Sequence, residues 1–204
     1  KENKMQAHEI ENILKKLAPY NLAYEGETFG FIHGDPNKNV RKIGVTWRPT
    51  VEVLQLCLEK QIDLLINHEP LLQSEKASVI PLSRLKFPPN LIRKQLLAQS
   101  NLTVFVAHSN WDDAIQGNNA TLAQVLDIEV QTHIPFGRVG KVLPKSLKDF
   151  ISFVKRRLGC ENVIVVGDPE TMIRTVAVVS GSGNSLVEMM EVAKQEGADV
   201  LVSG

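Results

Sequence analysis

Two short stretches carry the side chains that could hold or activate a ligand. Asn67-His68-Glu69-Pro70 follows the apolar run Ile62–Ile66, and His108-Ser109-Asn110-Trp111-Asp112-Asp113 follows Leu102–Ala107. Two of the chain's five histidines fall at these positions. Imidazole nitrogen with carboxylate oxygen suits a Zn, Fe, Mn or Ni ion, and one carboxylate can bridge two ions. Neighbours on a regular strand face opposite ways, so His68 and Glu69 share a site only if the strand has ended. Pro70 favours that ending, because it biases Glu69 to extended backbone and offers no ladder donor. His108, Asn110 and Asp112 sit at i, i+2 and i+4, and an extended stretch would put all three on one face. A plainer alternative stays open: a histidine bonded to backbone, followed by acids that cap the next helix.

The elements that must position these residues alternate in type along the chain. Ile10, Ile13, Leu14 and Leu17 form one apolar helix face before Pro19. Lys42–Trp47 reads as a strand, Pro49-Thr50 opens a helix with Leu54, Cys57 and Leu58, and Ile62–Ile66 is a strand buried on both faces. A Pro- and Ser-bearing loop from Gln73 to Pro89 precedes a helix around Leu91–Ala98, a strand Leu102–Ala107 and a helix Asn118–Leu126. The rhythm resets near Asp127–Gly137. Arg138–Val142, Val163–Val166, Val176–Val179 and Asp199–Val202 then read as strands. Helices carry Leu147, Phe150, Ile151, Val154 and Leu158, and later Leu186–Glu196. Such β-α repetition predicts an α/β protein of two α/β domains with mostly parallel central sheets, residues 1–130 with the candidate site and residues 131–204. Open α/β sheets bind ligands beyond the carboxyl ends of their strands, which is where both clusters lie.

Composition narrows the function. Lys and Arg number 23 against 23 Asp and Glu, so the formal net charge is zero and the electrostatic footprint of a nucleic-acid binder is missing. A hydrophobic fraction of 43% supports a buried core. Cys57 and Cys160 are too few for a disulfide framework and read as reduced, buried thiols. No apolar run is long enough for a membrane span. The polar start Lys1-Glu2-Asn3-Lys4 is no signal peptide, so a cytoplasmic protein is expected.

Two other features of the sequence could bind a ligand or face solvent. Ser180-Gly181-Ser182-Gly183-Asn184 joins a strand to a helix and could cradle a phosphate, although a tight turn needing glycine explains it as well. Arg138, Lys141, Lys145, Lys148, Lys155, Arg156 and Arg157 form a local basic stretch, most simply a solvated helix face. No catalytic nucleophile emerges.

Four segments in order resemble the Nif-three-like family, also named the GTP cyclohydrolase 1 type 2 family. Thr28–Asp35 (TFGFIHGD) is similar to its DNxGLxxGD, and Asp63–Leu72 (DLLINHEPLL) to its DLIITHHPLI. Val106–Leu126 resembles its HTNLD with a downstream Gly-Asn. Gly137–Gly140 with Val176–Gly204 resembles its GRxG and its ending in DVLVTG. The resemblance implies a two-domain α/β subunit, a homohexamer and a dinuclear metal centre. Carried over by position, it makes His68, Glu69 and Asp112 metal ligands, with His108 and Asn110 supporting them or facing substrate. The family's remaining His and Glu ligands would lie beyond Ser203-Gly204, so the second domain is expected to be incomplete. HEP in place of HHP exchanges a nitrogen donor for an anionic oxygen, which shifts preference from Zn towards Mn, Mg or Fe. Trp47 replaces a family Asp. One or two divalent ions would then serve a hydrolase of a nucleotide-like small molecule. The alternative is a non-enzymatic metal-binding scaffold or adaptor.

Overall fold

The computed structural model describes residues 4–71, 88–181, 183 and 187–204. They form two compact units, Lys1–Trp111 and Asp112–Gly204. The division falls earlier in sequence than the change of rhythm near residue 130, because Ala123 and Leu126 pack into the core of the second unit.

In the first unit, β1 (Met5–Gln6) leads into α1 (Ala7–Leu17), and the Gln6 N–H donates to Glu9 Oε2 at 2.6 Å to cap it. A 3₁₀ turn (Tyr20–Leu22) precedes β2 (Gly30–His33), and β3 (Asn39–Val40) pairs antiparallel with β1. Then come β4 (Ile43–Thr46), α2 (Val51–Glu59), β5 (Leu64–Asn67), α3 (Pro88–Ala98) and β6 (Thr103–Val106). Thr50 caps α2 by accepting from the Val53 N–H, as the Pro-Thr signal predicts. The sheet order is β2-β6-β5-β4, with β4, β5 and β6 parallel and β2 antiparallel at the edge.

Both faces of that sheet are covered, which explains the unbroken apolar runs. On one face Leu65 and Val104 pack with Leu54 and Cys57 of α2 and Leu97 of α3. On the other, Leu64 and Phe105 pack with Ala7 and Ile10 of α1. Consecutive residues of one strand thus serve two cores. The expected loop from Gln73 to Pro89 lies almost entirely outside the described residues.

The helix α4 (Ser109–Asp113) crosses from the first unit into the second. The second unit continues with α5 (Asn118–Val125), β7 (Glu129–Ile134), β8 (Gly137–Ser146), α6 (Leu147–Leu158), β9 (Met172–Val179), α7 (Val187–Gln195) and β10 (Val200–Ser203). Its sheet has the order β10-β9-β8-β7. Only β10 and β9 run parallel; β7–β8 and β8–β9 are antiparallel. The two-residue link Pro135-Phe136, with Phe136 at φ 57°, folds β7 and β8 into a hairpin, and such a link permits only antiparallel pairing. The first sheet is therefore mostly parallel and the second mixed, and both units are α/β.

One expected strand is corrected. Val163–Val166 belongs to neither sheet, and Ile164 and Val166 are 99% and 95% exposed. β-Branched composition signals extended backbone there, yet no strand among the described residues pairs with it. The expected helix from Leu186 begins outside the described residues and is seen from Val187.

Candidate functional site

Register sets the site. Thr46, Asn67 and Val106 are paired across β4, β5 and β6, so three parallel strands end level. The next residues, Trp47, His68 and Ala107, stand in a row beyond the sheet. The Glu69 N–H donates to the Trp47 carbonyl at 2.9 Å and the Ala107 N–H to the Asn67 carbonyl at 3.0 Å, so the chains stay together past their last ladder residues.

His68 is buried in this row. Its Nδ1 lies 3.0 Å from the Ala107 carbonyl, an acceptor only, so Nδ1 is the donor and a neutral ring keeps its lone pair on Nε2. Trp47 stacks on one face of the ring, with centroids 4.0 Å apart and planes 23° from parallel. His108 meets it edge-on at 5.0 Å between centroids. The residue that departs from the family pattern thus braces the first imidazole. Its own indole remains half exposed.

His108 is tied from behind as well. Its Nδ1 is 2.9 Å from Glu27 Oε2, and the Ser109 hydroxyl donates to Glu27 Oε1 at 2.5 Å. Burial raises the Glu27 pKa, but the hydrogen bonds from His108 and Ser109 outweigh it and hold the carboxyl below its usual range. Sequence reading missed Glu27 altogether. It lies 81 residues from His108 and belongs to no strand end; only its place just ahead of the Thr28–Asp35 segment could have pointed to it.

The period-two argument for His108, Asn110 and Asp112 is overturned, because the stretch turns helical at Ser109. Asn110 is buried and structural: its Nδ2 donates to the Ala18 carbonyl at 2.9 Å, and its Oδ1 accepts from the His108 N–H at 3.0 Å. Asp112 belongs to the second unit and accepts from Asn118 Nδ2 at 2.6 Å. Glu69 has left the strand, as Pro70 predicts, and one carboxylate oxygen lies 3.9 Å from the Arg48 guanidinium. Asn67 Oδ1 is buried without a hydrogen-bond partner among the described residues, so a donor from solvent or ligand would satisfy it.

The donor chemistry suits a divalent ion, since the His68 imidazole, fixed through Nδ1, offers Nε2 as a ligand atom beside the His108 ring. Among the described residues, no group of three or more His, Cys, Asp or Glu is arranged to hold a metal. The nitrogen half of a donor set is present. The Gly181–Asn184 turn falls partly outside the described residues, because Ser182 and Asn184 are not among them.

Residues 5–204 match the family described as Duf34/NIF3 (NGG1p interacting factor 3). The chain belongs to the Duf34/NIF3 family. A GTP cyclohydrolase 1 type 2 homolog of Clostridium perfringens is 31% identical over 98% of this chain and 77% of its own length. One from Methanocaldococcus jannaschii is 30% identical over 98% and 80%. A Bacillus cereus protein related to NIF3 shares the fold, with a TM-score of 0.81 at 19% identity, covering 99% of this chain and 83% of that one. The GRxG segment of this Duf34/NIF3 chain now has a physical reason. A Cβ on Gly137 would sit 2.7 Å from the Val178 carbonyl oxygen, and one on Gly140 would run into the Glu129 carbonyl, so β8 accepts only glycine there. Arg138 between them is not on a solvated face but buried, with Nη1 2.6 Å from Asp113 Oδ1. No helix among the described residues is long and apolar enough to cross a membrane.

Proposed function

We propose that this Duf34/NIF3 chain is a divalent-metal-dependent hydrolase acting on a nucleotide-like or related small molecule. The observation that carries the reading is the pair His68 and His108 at the level ends of β5 and β6, each with Nδ1 engaged by an oxygen acceptor. The residues proposed to hold one or two ions are His68, Glu69 and Asp112, with Glu69 shifting preference towards Mn, Mg or Fe. A bound ion would supply Lewis acidity and lower the pKa of a water molecule that attacks the substrate. The chain's own part is to hold the imidazoles in one tautomer, with Trp47 stacked on His68 to fix the ring plane. The names of the relatives, GTP cyclohydrolase 1 type 2 homologs, support a purine nucleotide as the first substrate to try. A cytoplasmic homohexamer is part of the same proposal.

Elemental analysis of Mn-, Fe- and Zn-loaded protein tests it, with His68→Ala and Asp112→Ala alongside. Bound metal in the wild type that falls severalfold in both variants is expected. Metal content that neither substitution changes would sink the site. A second reading, a metal-binding scaffold without turnover, is favoured by Glu69 standing where the resemblance has a second histidine. Loaded protein that releases no product from GTP would support it.

A further inference from the structure

We infer that Glu27 is a positioning residue, which fixes His108 with its proton on Nδ1 and so makes Nε2 the acceptor nitrogen at the strand-end site. Its use in catalysis rests on the hydrolase reading above; the tautomer itself does not.

The turn that delivers Glu27 is built for the purpose. Gly26 takes a left-handed backbone with φ 81°, a conformation glycine enters without strain, and the Glu27 N–H donates back to the Tyr24 carbonyl at 3.3 Å. The turn is then pinned to the start of α4. Ser109 Oγ accepts from the Tyr24 N–H at 2.8 Å while its own hydroxyl donates to Glu27 Oε1. One serine thus grips both ends of the turn. The other carboxylate oxygen, Oε2, faces His108 Nδ1. With each oxygen engaged by a different partner, rotation of the carboxylate would break two bonds at once. The Glu27 side chain is 12% exposed, so water competes weakly for either oxygen.

An ionised carboxylate has no proton to give. The nitrogen facing it must therefore be the donor, and a neutral His108 keeps its lone pair on Nε2. His68 reaches the same state by another route, through the Ala107 carbonyl. A carboxylate behind one ring and a peptide carbonyl behind the other make the two unequal. The Glu27 carboxylate stands 2.9 Å behind the His108 ring, and the Ala107 carbonyl 3.0 Å behind that of His68. Under the hydrolase reading, a His108 held with Nε2 as its acceptor can take the proton of an attacking water and pass it to the leaving atom.

Long-range ¹H–¹⁵N correlation spectra of the histidine-labelled chain at alkaline pH decide the tautomer. The His108 signals are assigned by their loss in His108→Gln. The wild type is expected to show Nδ1–H with Nε2 unprotonated, and Glu27→Leu to move the ring towards Nε2–H. An Nε2–H ring in the wild type overturns the inference without any variant, as does an unmoved tautomer in Glu27→Leu. In Mn-loaded protein, Glu27→Gln should lower kcat for GTP hydrolysis roughly 10- to 100-fold with KM and metal content little changed. Glu27→Asp should regain part of that rate. A wild type inert towards GTP would count against the hydrolase reading alone and leave the tautomer result standing. Full kcat in Glu27→Gln would overturn the catalytic use of the pair.

Discussion

Arg138 shows how much one buried side chain can organise. Its guanidinium donates through Nη1 to Asp113 Oδ1 at 2.6 Å and to the Gly137 carbonyl at 2.7 Å, and through Nη2 to the Asp113 and Ala114 carbonyls. Only 1% of the residue is exposed, so the charge is tolerable because carboxylate and carbonyls replace water. It also ties the end of α4 to β8 within the second unit. Removing the carboxylate leaves the guanidinium buried with dipoles alone. Asp113→Ala should therefore cost about 3–5 kcal/mol, the range for breaking a buried pair, whereas Lys148→Ala on α6 should cost under about 0.5 kcal/mol. Urea denaturation checks both. Equal small effects would mean that the carbonyls suffice. Residue type alone could not foresee this, because an arginine in a basic run looks like surface until the two glycines beside it are seen to press β8 against its neighbours.

Among the elements, a helix-to-strand corner recurs in both units. Gln61 (φ 54°) and Gly197 (φ 73°) end α2 and α7 in left-handed backbone, and an aspartate two residues later opens the parallel strand. Asp63 Oδ2 accepts from the Arg41 and Lys42 N–H groups at 2.9 and 3.1 Å, and Asp199 Oδ2 from those of Arg174 and Thr175 at 2.8 Å. Burial raises the Asp63 pKa, yet the backbone donors and Lys38 outweigh it and leave it below its ordinary value of 3.8. A group depressed on folding adds stability above its unfolded pKa and loses it as pH falls through the folded one. Asp63→Asn should thus be less stable than wild type near neutrality, with the gap closing below about pH 4. Chemical denaturation at several pH values would show it, and a gap constant with pH would refute it. Periodicity made β4, β5, β6, β9 and α1 legible, because their apolar residues repeat with the burial they meet. It did not reveal β7, whose burial is nearly all on the exposed side, nor the helical turn at Ser109, which depends on Asn110 bonding back to Ala18. The candidate site was half legible: His68 and His108 follow from strand ends, whereas Glu27 is brought in by a turn far away in sequence.

For the whole molecule, zero net charge hides an opposition between the units. Residues 1–111 hold 14 Lys and Arg against 11 Asp and Glu, and residues 112–204 hold 9 against 12. One unit is therefore net positive and the other net negative by the same amount, while the sequence pI is about 7.1. With no net repulsion between molecules, the opposite signs can attract one copy to another at neutral pH. Such attraction between exposed charges is screened over roughly 10 Å at 0.1 M salt. Added salt should then weaken association of the 204-residue chain, the reverse of what apolar contacts alone produce. Static light scattering at pH 7 gives the readout. The second virial coefficient should be negative at about 10 mM salt, where the screening length is near 30 Å, and rise towards zero by about 0.2 M. Raising the pH well above the pI adds like charge to every molecule and should reverse the trend there, with a positive coefficient at low salt that falls as salt screens the repulsion. The decisive readings are therefore those at pH 7. A coefficient that falls with salt would instead assign association to apolar surface, for which the exposed Val163–Val166 segment is the first place to substitute lysine.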